Sequence, residues 1–191
     1  MKSWIPFTIN ELKEIFQECP ARWWLAGGYA LDCYLGKTTR EHEDMDIIVL
    51  RDDQLVIQEY LHNFDLFIAH KTLRKWYKGD IVDSPIQDIW VREKSTNSFK
   101  LQIMMVDNDE EKILFKHKSS ITFSLLDFGF SKCDMQIIKP EIQLLYKFWN
   151  KEYREKDILD LIFVLPKLAR VEIDWLCTHL QMRDNCEDSL G

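Results

Sequence analysis

Two aspartates one residue apart, Asp44 and Asp46, lead into the apolar run Ile47-Ile48-Val49-Leu50. On an extended chain, side chains two apart point to one face, so the pair would present two carboxylates together. Hard oxygen ligands in that arrangement suit Mg²⁺. Upstream stands the pair Gly27-Gly28, which permits positive φ and lets backbone approach a ligand closely, as a phosphate-cradling turn requires. Between the two motifs, Arg40 offers a guanidinium to a phosphate. His42 reads as a loop residue that orients a neighbouring carboxylate, and Asp32 as one that holds the following loop. A phosphate cradle beside a magnesium pair points to nucleotide chemistry.

The elements that must position these residues follow from periodicity. Residues 22–26 read as a short buried strand running into the glycines, residues 29–35 as a short helix stopped by Gly36, and residues 46–50 as a β-branched strand. Before them, Ile9, Leu12, Ile15 and Phe16 mark one face of a helix with a capping box at Thr8 and Glu11, closed by Pro20. After them, Asp52 or Asp53 is placed to cap a helix reaching His62. A strand follows at 64–68, then the basic and aromatic run 70–78, read as a solvated edge. Strands at 86–92 and 99–106 flank a hairpin turn at 94–98. An acidic turn at 108–111 opens a weaker hairpin. From Pro140, at a helix N1 position, the texture is helical, with further helices at 157–168 and 171–182. The polar residues 185–191 are expected to fray.

A chain of 191 residues fits one domain or a domain with a helical annex, and 46% hydrophobic content is enough to exclude disorder. The net charge of −7 argues against a non-specific polyanion binder, so nucleic acid is not the expected partner. The five cysteines are odd in number, scattered and without a C-x-x-C pair, which reads as a reduced chain rather than a disulfide framework or zinc site. No run approaches a membrane span and no leader-like apolar region opens the chain, so the cytoplasm is the expected location.

Residues 26–32 (Ala-Gly-Gly-Tyr-Ala-Leu-Asp), with Gly36 and the run Thr39-Arg40-Glu41-His42-Glu43-Asp44-Met45-Asp46, resemble the polymerase-β-like nucleotidyltransferase superfamily. Within it, the closest pattern is that of the aminoglycoside and lincosamide antibiotic adenylyltransferases. A second block, residues 140–147 with Lys156, Asp157 and Asp160 before Val164-Leu165-Pro166, resembles the C-terminal helices of the same group. The resemblance implies an α/β (α+β) fold: a mixed β-sheet nucleotidyltransferase domain at 1–138, with a C-terminal helical subdomain at 139–191 packed on it. It also implies ATP as co-substrate and two Mg²⁺ ions held by Asp44 and Asp46. Gly27, Gly28, Arg40 and Lys147 would contact the nucleotide, although a snorkelling surface role competes for Lys147.

The superfamily pattern adds a third carboxylate on a neighbouring strand. Matching Leu101-Gln102-Ile103 to that strand puts Gln102 where the acid is expected, and an amide cannot take a proton from a hydroxyl at neutral pH. A hairpin centred on Thr96 sets Trp90 opposite Gln102 and puts Asp88 on their face, two residues along. Asp88 is therefore the candidate third carboxylate, ahead of Asp107, which has the opposite parity. Trp76, Tyr77 and Trp90 are candidates for stacking on a base or acceptor ring.

The expected function is magnesium-dependent transfer of a nucleoside monophosphate, AMP from ATP, to a hydroxyl of a small acceptor, with release of pyrophosphate. An aminoglycoside or lincosamide-like antibiotic is the suggested acceptor, and resistance the associated role. Two rivals stand beside it. One is a degenerate member that binds nucleotide or a partner without turnover; the other is a toxin-type nucleotidyltransferase acting on protein or RNA. The sequence leaves the oligomeric state open.

Overall fold

The computed structural model describes residues 3–150 and 152–187, with 184–187 as backbone only. Helix α1 (Ile9–Phe16) begins at a complete capping box: the Thr8 side chain accepts from the Glu11 N–H, and the Glu11 carboxylate accepts from the Thr8 N–H at 2.7 Å. Leu12 and Phe16 bury its apolar face. Strand β1 (Trp23–Ala26) runs into α2 (Gly27–Leu35), which ends on Gly36 in the left-handed region. The chain then returns as β2 (Asp46–Leu50).

Helix α3 (Gln54–Tyr60) follows a single 3₁₀ turn, Arg51–Asp53. The expected cap by Asp52 or Asp53 does not form. Asp53 instead takes three 2.8 Å hydrogen bonds from Arg22, two of them from the guanidinium fork, and Asp52 accepts from Asn108. A charge-assisted fork holds a carboxylate more strongly than a cap does, so Asp53 stands at the N-cap position of α3 with its side chain turned to Arg22.

Strands β3 (Asp65–His70), β4 (Thr72–Lys75), β5 (Asp88–Arg92) and β6 (Phe99–Val106) complete one half of the main sheet. A small sheet comprises β7 (Asn108–Asp109), β8 (Lys112–Leu114) and β9 (Thr122–Ser124). The hairpin of β10 (Gly129–Lys132) and β11 (Met135–Ile138) then rejoins the main sheet, whose order is β10-β11-β1-β2-β6-β5-β3-β4. Pairings β2·β6 and β1·β11 are parallel and the rest antiparallel, so the sheet is mixed, as expected. The sequence reading missed β4, β10 and β11. Strand β4 is the run taken for a solvated edge, and it is the exposed edge strand of the sheet.

The helical end contains α4 (Pro140–Phe148), α5 (Glu155–Val164) and α6 (Arg170–Glu187). Helix α6 continues through 185–187; the remainder of the stretch expected to fray, 188–191, lies outside the described residues. Ile142, Leu144, Leu145 and Val164 join the same buried cluster as Leu25, Ile47, Ile48 and Ile103, so the helices share the core of the sheet. Among the described residues, no helix is long and apolar enough to cross a membrane.

Candidate active site

Strand register brings the candidate side chains to one face. Parallel pairing of β2 with β6 sets Asp46 opposite Gln102, and antiparallel pairing of β5 with β6 sets Trp90 opposite Gln102 and Asp88 opposite Met104. Side chains of period two therefore place Asp46, Gln102, Met104 and Asp88 on one face of three adjacent strands. The Gln102 side-chain amide donates to Asp88 Oδ1 at 3.2 Å, and its main-chain N–H donates to the Met45 carbonyl at 2.8 Å. Asp107, ranked lower from the sequence, is paired with Arg51 and accepts from the Ser84 hydroxyl at 3.0 Å. It stays outside this group.

The glycine turn lies against the same face. Gly27 has φ +67°, and a Cβ there would overlap the Asp46 carboxylate. At Gly28 a Cβ would overlap the His42 ring and crowd Arg40. Both glycines thus make room for site side chains, a demand that the sequence reading had assigned to the ligand. The Gly27 N–H is engaged: it donates to the buried Gln143 Oε1 of α4 at 2.8 Å. That carbonyl caps one of the orphan donors of α2, while the N–H of Gly28 remains in the first turn, where an anion is favoured.

The loop between α2 and β2 is tied down from beneath. Asp32 Oδ1 accepts from the Thr39 N–H at 3.1 Å and from the Thr39 hydroxyl at 2.6 Å, while Oδ2 meets His42 Nε2 at 2.6 Å. His42 also packs against Tyr29, with ring centroids 4.3 Å apart. Asp32 holds the loop, and the carboxylate that His42 meets is Asp32.

Arg40 and Lys147 are both ion-paired. The Arg40 fork grips Asp160 through Nε and Nη2, each at 3.0 Å, and Lys147 Nζ lies 3.0 Å from both Asp157 Oδ1 and Asp160 Oδ2. Arg154 closes the series on Asp157 at 2.7 and 2.9 Å. Lys147 is 7% exposed, which removes the surface-lysine alternative. Burial alone would raise the carboxyls of Asp157 and Asp160. The hydrogen bonds from these cations outweigh that, holding Asp157 down to about 2 and lowering Asp160.

Asp46 behaves oppositely. Burial, and then the negative charge of Asp44, push it up to about 7, with Lys147 and Lys156 pulling against the rise. A divalent cation would relieve this crowding, so the donor set fits a hard metal ion. Among the described residues, no group of three or more His, Cys, Asp or Glu forms a closed metal cage. An ion here would rest on the Asp44–Asp46 pair and complete its shell from substrate oxygens, as Mg²⁺ commonly does.

All of these groups line one cleft of about 1030 Å³: Gly27, Gly28, Arg40, Asp44, Asp46, Asp88, Gln102 and Lys147 each face it. His42 lies beneath that wall. Trp76, Tyr77 and Trp90 do not line the cleft. Trp76 is buried, and Trp90 packs edge-on with Trp4 and Phe99. The rings that do line it are Tyr146, Trp149, Tyr153 and His117, which stacks on Trp149 at 6.1 Å. Burial and the nearby charge of Lys116 push His117 down to about 4, so it is neutral at pH 7. Burial raises the Tyr146 hydroxyl, which has no hydrogen-bond partner among the described residues.

A family model described as aminoglycoside-2''-adenylyltransferase matches residues 8–82. Among solved structures, the lincosamide antibiotic adenylyltransferase LnuA, with lincomycin bound, superposes with TM-score 0.59 at 20% identity, over 84% of this chain and 98% of that one. The antibiotic-resistance factor ANT(2'')-Ia in solution gives TM-score 0.63 at 12% identity, over 95% and 93%. Its crystal complex with adenylyl-2''-tobramycin gives 0.61 at 12%, over 92% and 95%. The fold is that of the antibiotic adenylyltransferases. Family match and fold together indicate a nucleotidyltransferase. No curated protein sequence matches the chain.

Several groups facing this cleft are not marked by the sequence. Gln143 lies in the helical block 140–147, and nothing local marks an amide that caps a helix 116 residues away in sequence. Arg154 and the Lys116-His117-Lys118 loop carry no motif; only the folding of α5 and of the β8–β9 connection brings them to the cleft.

Proposed function

We propose that this chain is a magnesium-dependent adenylyltransferase that moves AMP from ATP to a hydroxyl of a small acceptor and releases pyrophosphate. The observation that carries the reading is the common face of Asp46, Gln102 and Asp88, opposite the glycine turn in one cleft. In this reading residues 1–138 form the catalytic body, residues 139–191 wall the cleft as a helical annex, and the protein acts in the cytoplasm. The acceptor class follows the bound molecules of the structural relatives, a lincosamide and an aminoglycoside.

Asp44 and Asp46 would hold Mg²⁺, which when bound neutralises charge on the attacking and leaving oxygens. The remaining work falls to the chain. The first turn of α2 would receive phosphate oxygens at its free N–H groups, and Arg40 and Lys147 would supply positive charge beside them. Asp88 would act as general base. Gln102 already occupies Oδ1, which leaves Oδ2 to take the proton as the acceptor oxygen bonds to the α-phosphorus and the bond to pyrophosphate breaks. The glutamine at the expected acidic position thus becomes the residue that orients the base.

Two variants test the reading together. Asp46→Asn should abolish Mg²⁺-dependent ATP binding in calorimetry. Asp88→Asn should bind ATP within about threefold of the parent yet lose pyrophosphate release by about 100-fold or more, the scale of a removed general base. ATP binding unchanged in Asp46→Asn would sink the metal pair. Binding without pyrophosphate release over any hydroxylated acceptor would favour the degenerate binder instead.

A further inference from the structure

The ion pairs behind the cleft form one continuous chain, Arg40–Asp160–Lys147–Asp157–Arg154. It joins the loop carrying Asp44 to α4 through Lys147, and to α5 through the two aspartates. Three cations meet two carboxylates, so a positive surplus remains, and Arg40, Lys147 and Arg154 all line the cleft. Asp44 acts electrostatically on Arg40 and Arg154, which places the surplus beside the carboxylate pair.

Asp160 is the branch point. Its side chain is 1% exposed, and its two oxygens are shared between the Arg40 fork and Lys147. The Arg40 Nη1 donates to the Glu41 carbonyl at 3.0 Å, which fixes the remaining edge of the guanidinium against its own loop. Long cationic side chains lose considerable rotamer freedom when a ligand immobilises them. Here that ordering precedes any ligand, and Asp160, on a helix remote in sequence from the glycine turn, is the carboxylate that both cations share, with Asp157 as a second partner of Lys147.

We propose that Asp160 is a positioning residue: it holds Arg40 and Lys147 together as a preformed anchor for the nucleotide triphosphate. This makes nucleotide affinity depend on how α5 docks against the loop carrying Asp44. The inference rests on the adenylyltransferase reading above. Asp160 itself touches neither substrate nor metal in this scheme, and its effect passes through the two cations.

The test compares the full chain with Asp160→Asn, using Mg²⁺·ATP as the probe in calorimetry and in steady-state pyrophosphate release. The expected result is a rise of about tenfold or more in both the ATP Kd and the ATP KM, with kcat within about threefold. In an Arg40→Gln/Lys147→Gln background, Asp160→Asn should add no further loss of ATP affinity, because the groups it acts through are gone. A purely structural aspartate would lower stability without moving KM in the folded fraction. If Asp160→Asn does not fold by circular dichroism, Arg40→Lys serves instead: it keeps the charge, loses the fork to Asp160, and should raise KM to a similar degree. Unchanged KM in whichever folded variant is measured, or additive losses in the triple variant, would overturn the role of Asp160. Absence of Mg²⁺-dependent ATP binding by the unmodified chain would instead overturn the adenylyltransferase reading, and this inference with it.

Discussion

Gly27 combines a left-handed backbone with the absence of a side chain where the Asp46 carboxylate packs. Either demand alone could be met by relaxation; together they leave no room for alanine. Gly27→Ala should therefore destabilise the protein by about 1–3 kcal/mol in urea unfolding and also displace Asp46, weakening Mg²⁺·ATP binding in calorimetry. A variant as stable as the parent, with full ATP affinity, would contradict this packing account. The residue scale also contains the largest revision to the site. Arg40 and Lys147 carry charge toward the cleft, but each is already held by a carboxylate of α5. Type and position in the sequence suggested a cation for phosphate, and nothing local disclosed that the partner of Arg40 lies 120 residues away.

At the scale of elements, α5 does two jobs that its sequence blurs. Its outward face exposes Ile158, Leu159 and Ile162, while Asp157 and Asp160 are buried against α4 and the loop from α2. The usual expectation of apolar inside and polar outside is inverted because the buried acids answer three cations. This has a pH signature. Asp157 is held at about 2, below its ordinary 3.8, so its contribution to stability is present above about pH 4 and lost as pH falls toward 2. Urea unfolding of the parent and of Asp157→Asn should differ most near neutrality, and the gap should narrow below pH 4. A gap that stays constant down to pH 2 would remove the ion pair as its source.

For the molecule as a whole, the boundary at residue 138 is one of texture, and the packing crosses it. Helix α4 supplies Ile142, Leu144 and Leu145 to the core, and Gln143 caps the turn that begins α2. A fragment of residues 1–138 would leave that apolar surface open and the Gly27 N–H unpaired. Such a fragment should fail to show a cooperative thermal transition by circular dichroism, whereas the full chain should show a single one. A cooperative transition in the fragment would make the helical end a true accessory.

Sequence alone determined the features that local chemistry dictates. The capping box placed α1 within two residues, the β-branched run located β2, and the hairpin signal located β5 and β6 and fixed their register closely enough to pair Trp90 with Gln102. From that register, Asp88 followed as the neighbour of Gln102, because side-chain parity on a strand is a local property. Strands β4 and β10 were not legible, since exposed or polar edge strands lack the alternation that a half-buried strand must have, and β11, an inner strand of four residues, is too short to show a period. What only the tertiary structure decided is which groups meet across long separations: Gln143 with Gly27, Asp160 with Arg40 and Lys147, and the Lys116–Lys118 loop with the rings of α4. Those contacts depend on how helices dock on a sheet, and the energy that selects them is shared across the whole buried core.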